Sequence, residues 1–116
     1  METKQTCNWL GQSGTSYTYQ VWSLPQTFDP NQNGNYIYSK LSADNKWVPI
    51  YIGQGDLGDR IGPNHHAATC INSKGATHVH VHLNGRVEDR TAEESELLAR
   101  YTNAYKPNGC NDKIGG

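Results

Sequence analysis

The sequence lacks a strong excess of charge of either sign. Its 10 Lys and Arg side chains are balanced by 11 Asp and Glu, which gives a formal net charge of -1. Proteins that bind nucleic acid without regard to sequence usually carry an excess of cations, because binding releases counterions from the phosphates. The composition therefore argues against binding over the whole surface, and any contact with nucleic acid has to be local.

Long apolar runs and paired-cysteine motifs are also missing. The chain has no stretch of about 18 apolar residues, and its opening METKQTCNWLGQ has no apolar run of signal-peptide length. We therefore expect a cytoplasmic protein with no membrane association. The three cysteines, Cys7, Cys70 and Cys110, form no CxxC motif, so we predict reduced thiols rather than a disulfide framework or a zinc knuckle.

The chain is large enough for one domain only. At 116 residues, with 34% hydrophobic residues, 12 Gly and 5 Pro, it predicts one compact, loop-rich unit with a modest core. Seven Tyr and three Trp make a disordered chain improbable.

Alternating side chains predict strands over residues 17–24, 36–41, 48–53 and 75–83, with residues 1–16 as an irregular lead-in. Period 2 divides these strands into an apolar set and a set of phenols and imidazoles. We expect the second set to share one surface. It comprises Tyr36, Tyr38, Lys40, Tyr51, His78, His80 and His82.

Helices are expected over residues 56–70 and from Thr91 onward. Asp56 is a plausible cap for the first region. Thr91 and Glu94 form a T-x-x-E capping box, and the helix is expected to continue to about Pro107. Its apolar stripe consists of Leu97, Leu98, Tyr101 and Tyr105, whereas Glu93 and Glu96 are expected to point away.

Glu94 allows two interpretations, because it lies near the middle of that apolar stripe. In the first, its carboxylate only caps the helix by bonding the backbone of Thr91. In the second, it points into a site and holds a divalent cation, which prefers hard oxygen ligands. Spacing alone does not decide between them.

Two triplets in the middle of the chain, Tyr36-Ile37-Tyr38 and Tyr51-Ile52-Gly53, form a sharper pattern. Together with residues downstream of them, they resemble the GIY-YIG endonuclease family over roughly residues 34–111. The combination of Trp-x-Gly-x-Ser-Gly near the start with Gly-Ala-Thr-His-Val-His-Val-His looks like small stand-alone bacterial members. The downstream residues that match the family's site are Arg60, the pair His65-His66, Glu94 and Asn111.

The resemblance implies an α/β domain of the α+β type, with a central, mostly antiparallel sheet of about four strands flanked by helices. Residues 34–116 would form the nuclease-like part, and residues 1–33 an extension with an added strand. The implied function is an endonuclease that hydrolyses phosphodiester bonds in DNA with one Mg2+ or Mn2+ ion.

The implied site residues can be given physical roles. A tyrosine would orient or deprotonate the water, although a phenol needs a nearby cation to lower its pKa. Arg60 would bind a phosphate oxygen through its forked donors, and Glu94 would hold the metal ion. Asn111 would position substrate or water. The candidate catalytic residues are Tyr38, Tyr51, Arg60, His66, Glu94 and Asn111, with Glu94 as the metal ligand.

Departures from the family pattern keep alternatives open. Tyr36 replaces the first glycine, so either Tyr36 or Tyr38 is the first site tyrosine, and residues 39–50 make a slightly long connection. The alternative function is a degenerate module that binds nucleic acid, protein or metal without cutting. A protein partner would supply target specificity in either case. A separate alternative is a metal site on the alternating histidines His78, His80 and His82.

Overall fold

The computed structural model describes residues 5–112, which form an α+β unit around one five-stranded sheet. All four strand pairings are antiparallel, in the order β1-β2-β5-β3-β4. The expected mostly antiparallel sheet is confirmed, with one more strand than the four predicted. The strands are Gln5–Leu10 (β1), Ser16–Ser23 (β2), Asn33–Leu41 (β3), Trp47–Asp56 (β4) and His78–Leu83 (β5).

The extra strand is β1, in the segment expected to be irregular. It is an edge strand whose only fully buried side chain is Trp9, so it shows little of the alternation that identifies a strand from sequence. It pairs with β2 along its length, from Gln5 opposite Val21 to Leu10 opposite Ser16.

Within residues 5–112, three helices and one 3-10 turn accompany the sheet: Leu57–Arg60 (α1), Ala68–Ser73 (α2), Val87–Arg100 (α3) and the turn Thr102–Ala104. The Asp56 cap is confirmed, because its carboxylate accepts a hydrogen bond from the Gly58 amide at 2.9 Å. None of the helices found in residues 5–112 is long and apolar enough to cross a membrane.

The prediction of a capping box at Thr91 is wrong. Helix α3 begins at Val87, and the Thr91 hydroxyl donates to the Val87 carbonyl at 2.8 Å from inside the helix. Glu94 therefore lies in the body of the helix and caps nothing. The far end also differs, because α3 ends at Arg100 and leaves Tyr105 beyond the 3-10 turn.

Tyr36 and Tyr38 lie on the opposite face of the sheet from His80, so the prediction of one shared surface is wrong. Tyr38 is paired with Val79, and Ile37 with His80, across β3 and β5. Period 2 fixes the faces within each strand, but the register between strands decides which faces match. The first core contains Tyr36 and Tyr38, whereas the second contains Trp9, Tyr19, Ile37, Ile52, Leu97 and Ala104.

The prediction of reduced thiols is wrong for two of the three cysteines. Cys70 and Cys110 form a disulfide with their Cα atoms 5.8 Å apart, whereas Cys7 is free. The bond joins α2 to the segment after the 3-10 turn. That segment also contacts β4, since the Cys110 amide donates to the Ile50 carbonyl at 2.8 Å.

His80 has a structural role that leaves no nitrogen for a metal ion. The Trp9 indole donates to its Nδ1 at 2.9 Å, so Nε2 carries the proton and donates to the Ser39 hydroxyl, also at 2.9 Å. Burial lowers the His80 pKa to about 3 and keeps the ring neutral. No group of three His, Cys, Asp or Glu suited to a metal ion occurs in the described part of the chain.

Glu93, expected to point away from the core, is 2% exposed beneath β2 and β5. The Tyr19 hydroxyl donates to its carboxylate, and His82 Nδ1 lies 3.0 Å from the same group. These bonds fix α3 against the second face of the sheet. Bonding to Glu93 raises the His82 pKa above its ordinary 6.5, against a smaller opposing effect of burial.

The His82–Glu93 contact predicts a pH-dependent contribution to stability. Because folding raises the His82 pKa, the contribution is complete below about pH 6.5 and declines as the pH rises through the folded-state pKa. Urea unfolding should show that His82→Gln costs more stability at acid than at alkaline pH. In a Glu93→Gln background, that pH dependence should disappear. A cost for His82→Gln that grows with pH would contradict the assignment.

Candidate functional site

The two triplets lie side by side on β3 and on the edge strand β4. Tyr38 is opposite Tyr51, and Tyr36 is opposite Gly53. A Cβ atom at Gly53 would come within 2.5 Å of the Tyr36 ring, so the missing side chain makes room for that ring. Tyr36 thereby stacks on Tyr51, with centroids 6.0 Å apart and planes 16° from parallel.

His65 sets the direction of a hydrogen bond at Tyr36. It follows α1, and its Nδ1 accepts from the Ala67 amide at 2.9 Å. The proton must therefore sit on Nε2, which donates to the Tyr36 hydroxyl oxygen at 2.8 Å. Burial, aided by His66 and Arg60, lowers the His65 pKa to about 4, so the ring is a neutral donor near pH 7.

Tyr51 lies between the Tyr36 ring and an exposed histidine. The Tyr36 hydroxyl oxygen accepts from His65, and the Tyr36 ring stacks on the ring of Tyr51. The Tyr51 hydroxyl in turn lies 3.2 Å from Nε2 of His66, an exposed imidazole. Either group can donate in this contact, depending on the tautomer of His66.

Arg60 and Glu94 bring opposite charges to this phenol pair. The Arg60 side chain lies against β4, where a Cβ at Gly55 would come within 2.9 Å of its Nε atom. Burial raises the Glu94 pKa, and the Arg60 guanidinium partly offsets that rise. Within residues 5–112, the Glu94 carboxylate has no hydrogen-bond or ion-pair partner.

The charges of Arg60 and Glu94 both affect the pKa of Tyr51. Burial raises its pKa, Glu94 raises it further, and Arg60 lowers it. The net shift is upward, so the protein's own cations do not depress this phenol as the expected chemistry required. Tyr51 is therefore a neutral phenol near pH 7, and it can move a proton only by giving one as it takes another.

Tyr38 is arranged differently from Tyr36 and Tyr51. Its hydroxyl accepts from the Gly62 amide at 3.3 Å, and burial raises its pKa. Arg60 and Glu94 both contribute to the pKa of Tyr36 but not to that of Tyr38. The charges of Arg60 and Glu94 therefore act on Tyr36 as well as on Tyr51.

The Asn111 side chain is occupied by the backbone of β4. Its Oδ1 accepts from the Ile52 amide and its Nδ2 donates to the Ile52 carbonyl, both at 2.9 Å. Because β4 is an edge strand, these bonds satisfy groups that no neighbouring strand pairs. Asn111 thereby supports the strand that carries Tyr51.

Two members of the arrangement, Tyr36 and His65, were not among the candidate catalytic residues, although the sequence left Tyr36 open as the alternative to Tyr38 and placed His65 in the pair His65-His66. The signal that could have found Tyr36 was Gly53, since a glycine directly opposite Tyr36 leaves space for its ring. The direction of the His65–Tyr36 hydrogen bond had no signal in the sequence, because it depends on the Ala67 amide donating to one particular ring nitrogen.

Comparison of the chain with protein-family models, with curated proteins and with solved structures finds no match in any of the three. The resemblance to the GIY-YIG family therefore rests on the sequence motifs alone.

Proposed function

We propose that this chain is a divalent-metal-dependent endonuclease that hydrolyses phosphodiester bonds in DNA, on the pattern of the GIY-YIG family. One observation carries the proposal. The opposite charges of Arg60 and Glu94 both act on Tyr51, which stacks on Tyr36 and whose hydroxyl lies 3.2 Å from Nε2 of exposed His66.

The proposed Mg2+ or Mn2+ ion fits the free carboxylate of Glu94. Mg2+ keeps several waters and is usually held by one or two carboxylates together with substrate phosphates. A single carboxylate beside an arginine, with no partner among the described residues, satisfies that requirement once a phosphate is present. The bound ion would neutralise charge on the phosphate and stabilise the leaving oxygen.

The protein's own residues would divide the remaining work between proton transfer and charge stabilisation. As the Tyr51 oxygen takes a proton from the attacking water, the phenol gives its own proton to His66 Nε2. The water oxygen bonds to phosphorus as the bond between phosphorus and the leaving oxygen breaks. The leaving oxygen then takes a proton from solvent. Arg60 would hold a phosphate oxygen as negative charge accumulates.

The alternative is a module that binds nucleic acid, protein or metal without cutting. Tyr36 favours it, because that ring fills the space above Gly53 that the family's glycine would leave open. A protein partner that supplies target specificity fits either function, since the chain is nearly neutral.

Cytoplasmic location stays a prediction of the sequence. The Cys70–Cys110 disulfide counts against it, because such bonds persist mainly in oxidising compartments and are rare in the cytosol.

Incubation with plasmid and linear DNA tests the proposal directly. Wild-type protein should nick or linearise DNA with Mg2+ or Mn2+ and should be inactive with EDTA. DNA binding with no nicking under any of these conditions would contradict the enzyme and support the binding module.

Tyr51→Phe and Tyr38→Phe should have unequal effects on cleavage. Tyr51→Phe removes the hydroxyl that relays the proton to His66, and we expect a loss of about 10²-fold or more in rate. Tyr38→Phe removes only the acceptor for the Gly62 amide, at a cost of about 1–3 kcal/mol in stability, and should change the rate little. Single-turnover cleavage and urea unfolding separate these effects. Equal rate losses would contradict the assignment of Tyr38.

A further inference from the structure

A cavity of about 450 Å3 lies beside the candidate site, on the same face of the sheet as Tyr38. Buried Tyr38, His65 and Ile71 contribute to its wall, and exposed Pro63 and Asn72 also line it. Its volume lies within the range of pockets that bind small ligands, about 300–1,000 Å3.

The cavity is suited to an uncharged ligand. Among the described residues that line it, none is Lys, Arg, Asp or Glu. His65 adds no charge near pH 7, because burial lowers its pKa to about 4. A phosphate or another strongly charged group would find no counter-charge there, and its desolvation would be uncompensated.

The lining also suits a planar ligand with a hydrogen-bonding edge. The rings of Tyr38 and His65 meet edge to face, with centroids 5.8 Å apart, and offer aromatic surface. Leu24 and Ile71 add apolar walls, and the primary amide of Asn72 offers both a donor and an acceptor. Nucleobases combine these properties, since they are flat and neutral and carry donors and acceptors along one edge.

His65 connects this cavity to the proposed reaction site. The same ring lines the cavity and donates from Nε2 to the Tyr36 hydroxyl, whose ring stacks on Tyr51. Tyr38, on the cavity wall, is the cross-strand partner of Tyr51. A ligand in the cavity would therefore lie next to a phosphate held at Tyr51 and Arg60.

We propose that the cavity takes one unpaired nucleobase from the strand whose phosphate lies at Tyr51, Arg60 and Glu94. The proposal rests on the proposed nuclease function and narrows its substrate class. A base stacked inside a duplex cannot reach such a cavity without being extruded, so single-stranded, branched or mismatched DNA would be the preferred substrate.

The first test uses wild-type protein and single-stranded oligonucleotides in EDTA, so that binding is measured without cleavage. A single 2-aminopurine is moved along the strand, and a single abasic site is scanned in parallel. We expect a fluorescence change at one position and a roughly tenfold weaker affinity when that position is abasic. A response that is equal at every position would overturn the proposal.

The second test fills the cavity. Ala68→Phe adds a ring to the α2 residue on the cavity wall, and Ala92→Phe adds the same ring to an exposed position on α3. Ala68→Phe should abolish the position-specific fluorescence change, whereas Ala92→Phe should keep it. The same result for both variants, whether loss or retention, would contradict the proposal. If circular dichroism shows that Ala68→Phe fails to fold, the wild-type scan decides alone.

Cleavage with Mg2+ is measured separately, so that the two proposals can fail separately. Position-specific binding without any cleavage would support the base pocket and contradict the nuclease. Cleavage accompanied by an equal fluorescence response at every 2-aminopurine position would support the nuclease and contradict the base pocket.

Discussion

Glu94→Gln is expected to lower metal-dependent cleavage of DNA by several orders of magnitude while DNA binding survives or tightens. The substitution keeps the size of the side chain but removes the charge that would hold a divalent cation. Because no described residue bonds to the Glu94 carboxylate, the loss should come from the missing charge and not from a broken contact. Cleavage rates at rising Mg2+ and Mn2+ concentrations, with affinity measured in EDTA, provide the measurement.

Glu88→Gln is the matched control for that substitution. Glu88 lies in the first turn of the same helix with 72% of its side chain exposed. Its neutralisation changes the net charge by the same amount and should leave cleavage nearly unaltered. An equal loss of cleavage in both variants would show that Glu94 acts only through the net charge of the protein. No loss of cleavage in either variant would contradict the assignment of Glu94 as a metal ligand.

The strands that build the site were predictable because their side chains alternate. Residues 36–41 and 48–53 fall within β3 and β4, and the Asp56 cap also appears as expected. Strand β1 was missed because an edge strand with one buried residue carries almost no periodic signal. Local patterns thus located the elements that face a core.

Relations between elements were not predictable from the same patterns. The capping box at Thr91 fits the sequence, but tertiary contacts extend α3 back to Val87 and leave Glu94 in the helix body. Glu93 was misjudged for the same reason, because its partners Tyr19 and His82 come from two distant strands. Buried polar contacts of this kind depend on register and helix placement, which a single sequence does not encode locally.

Arg60→Ala is expected to reduce the rate of the chemical step by about 10²–10³-fold, because a donor aimed at the phosphate gains strength as negative charge accumulates there. Single-turnover rates with Mg2+ measure this loss. Arg60→Lys keeps the charge but loses the forked geometry and should recover only part of the rate. Arg100→Ala, which removes an exposed cation from the last turn of α3, should leave the rate unchanged.

The pH dependence of Arg60→Ala distinguishes electrostatic action from simple loss of binding. Arg60 lowers the pKa of both Glu94 and Tyr51, so its removal should let Glu94 take up a proton at higher pH. A protonated carboxyl group holds a divalent cation poorly, and the acid limb of the rate profile should therefore move to higher pH. A profile that only drops in height, with its limb unmoved, would show that Arg60 acts on the substrate alone and not on Glu94.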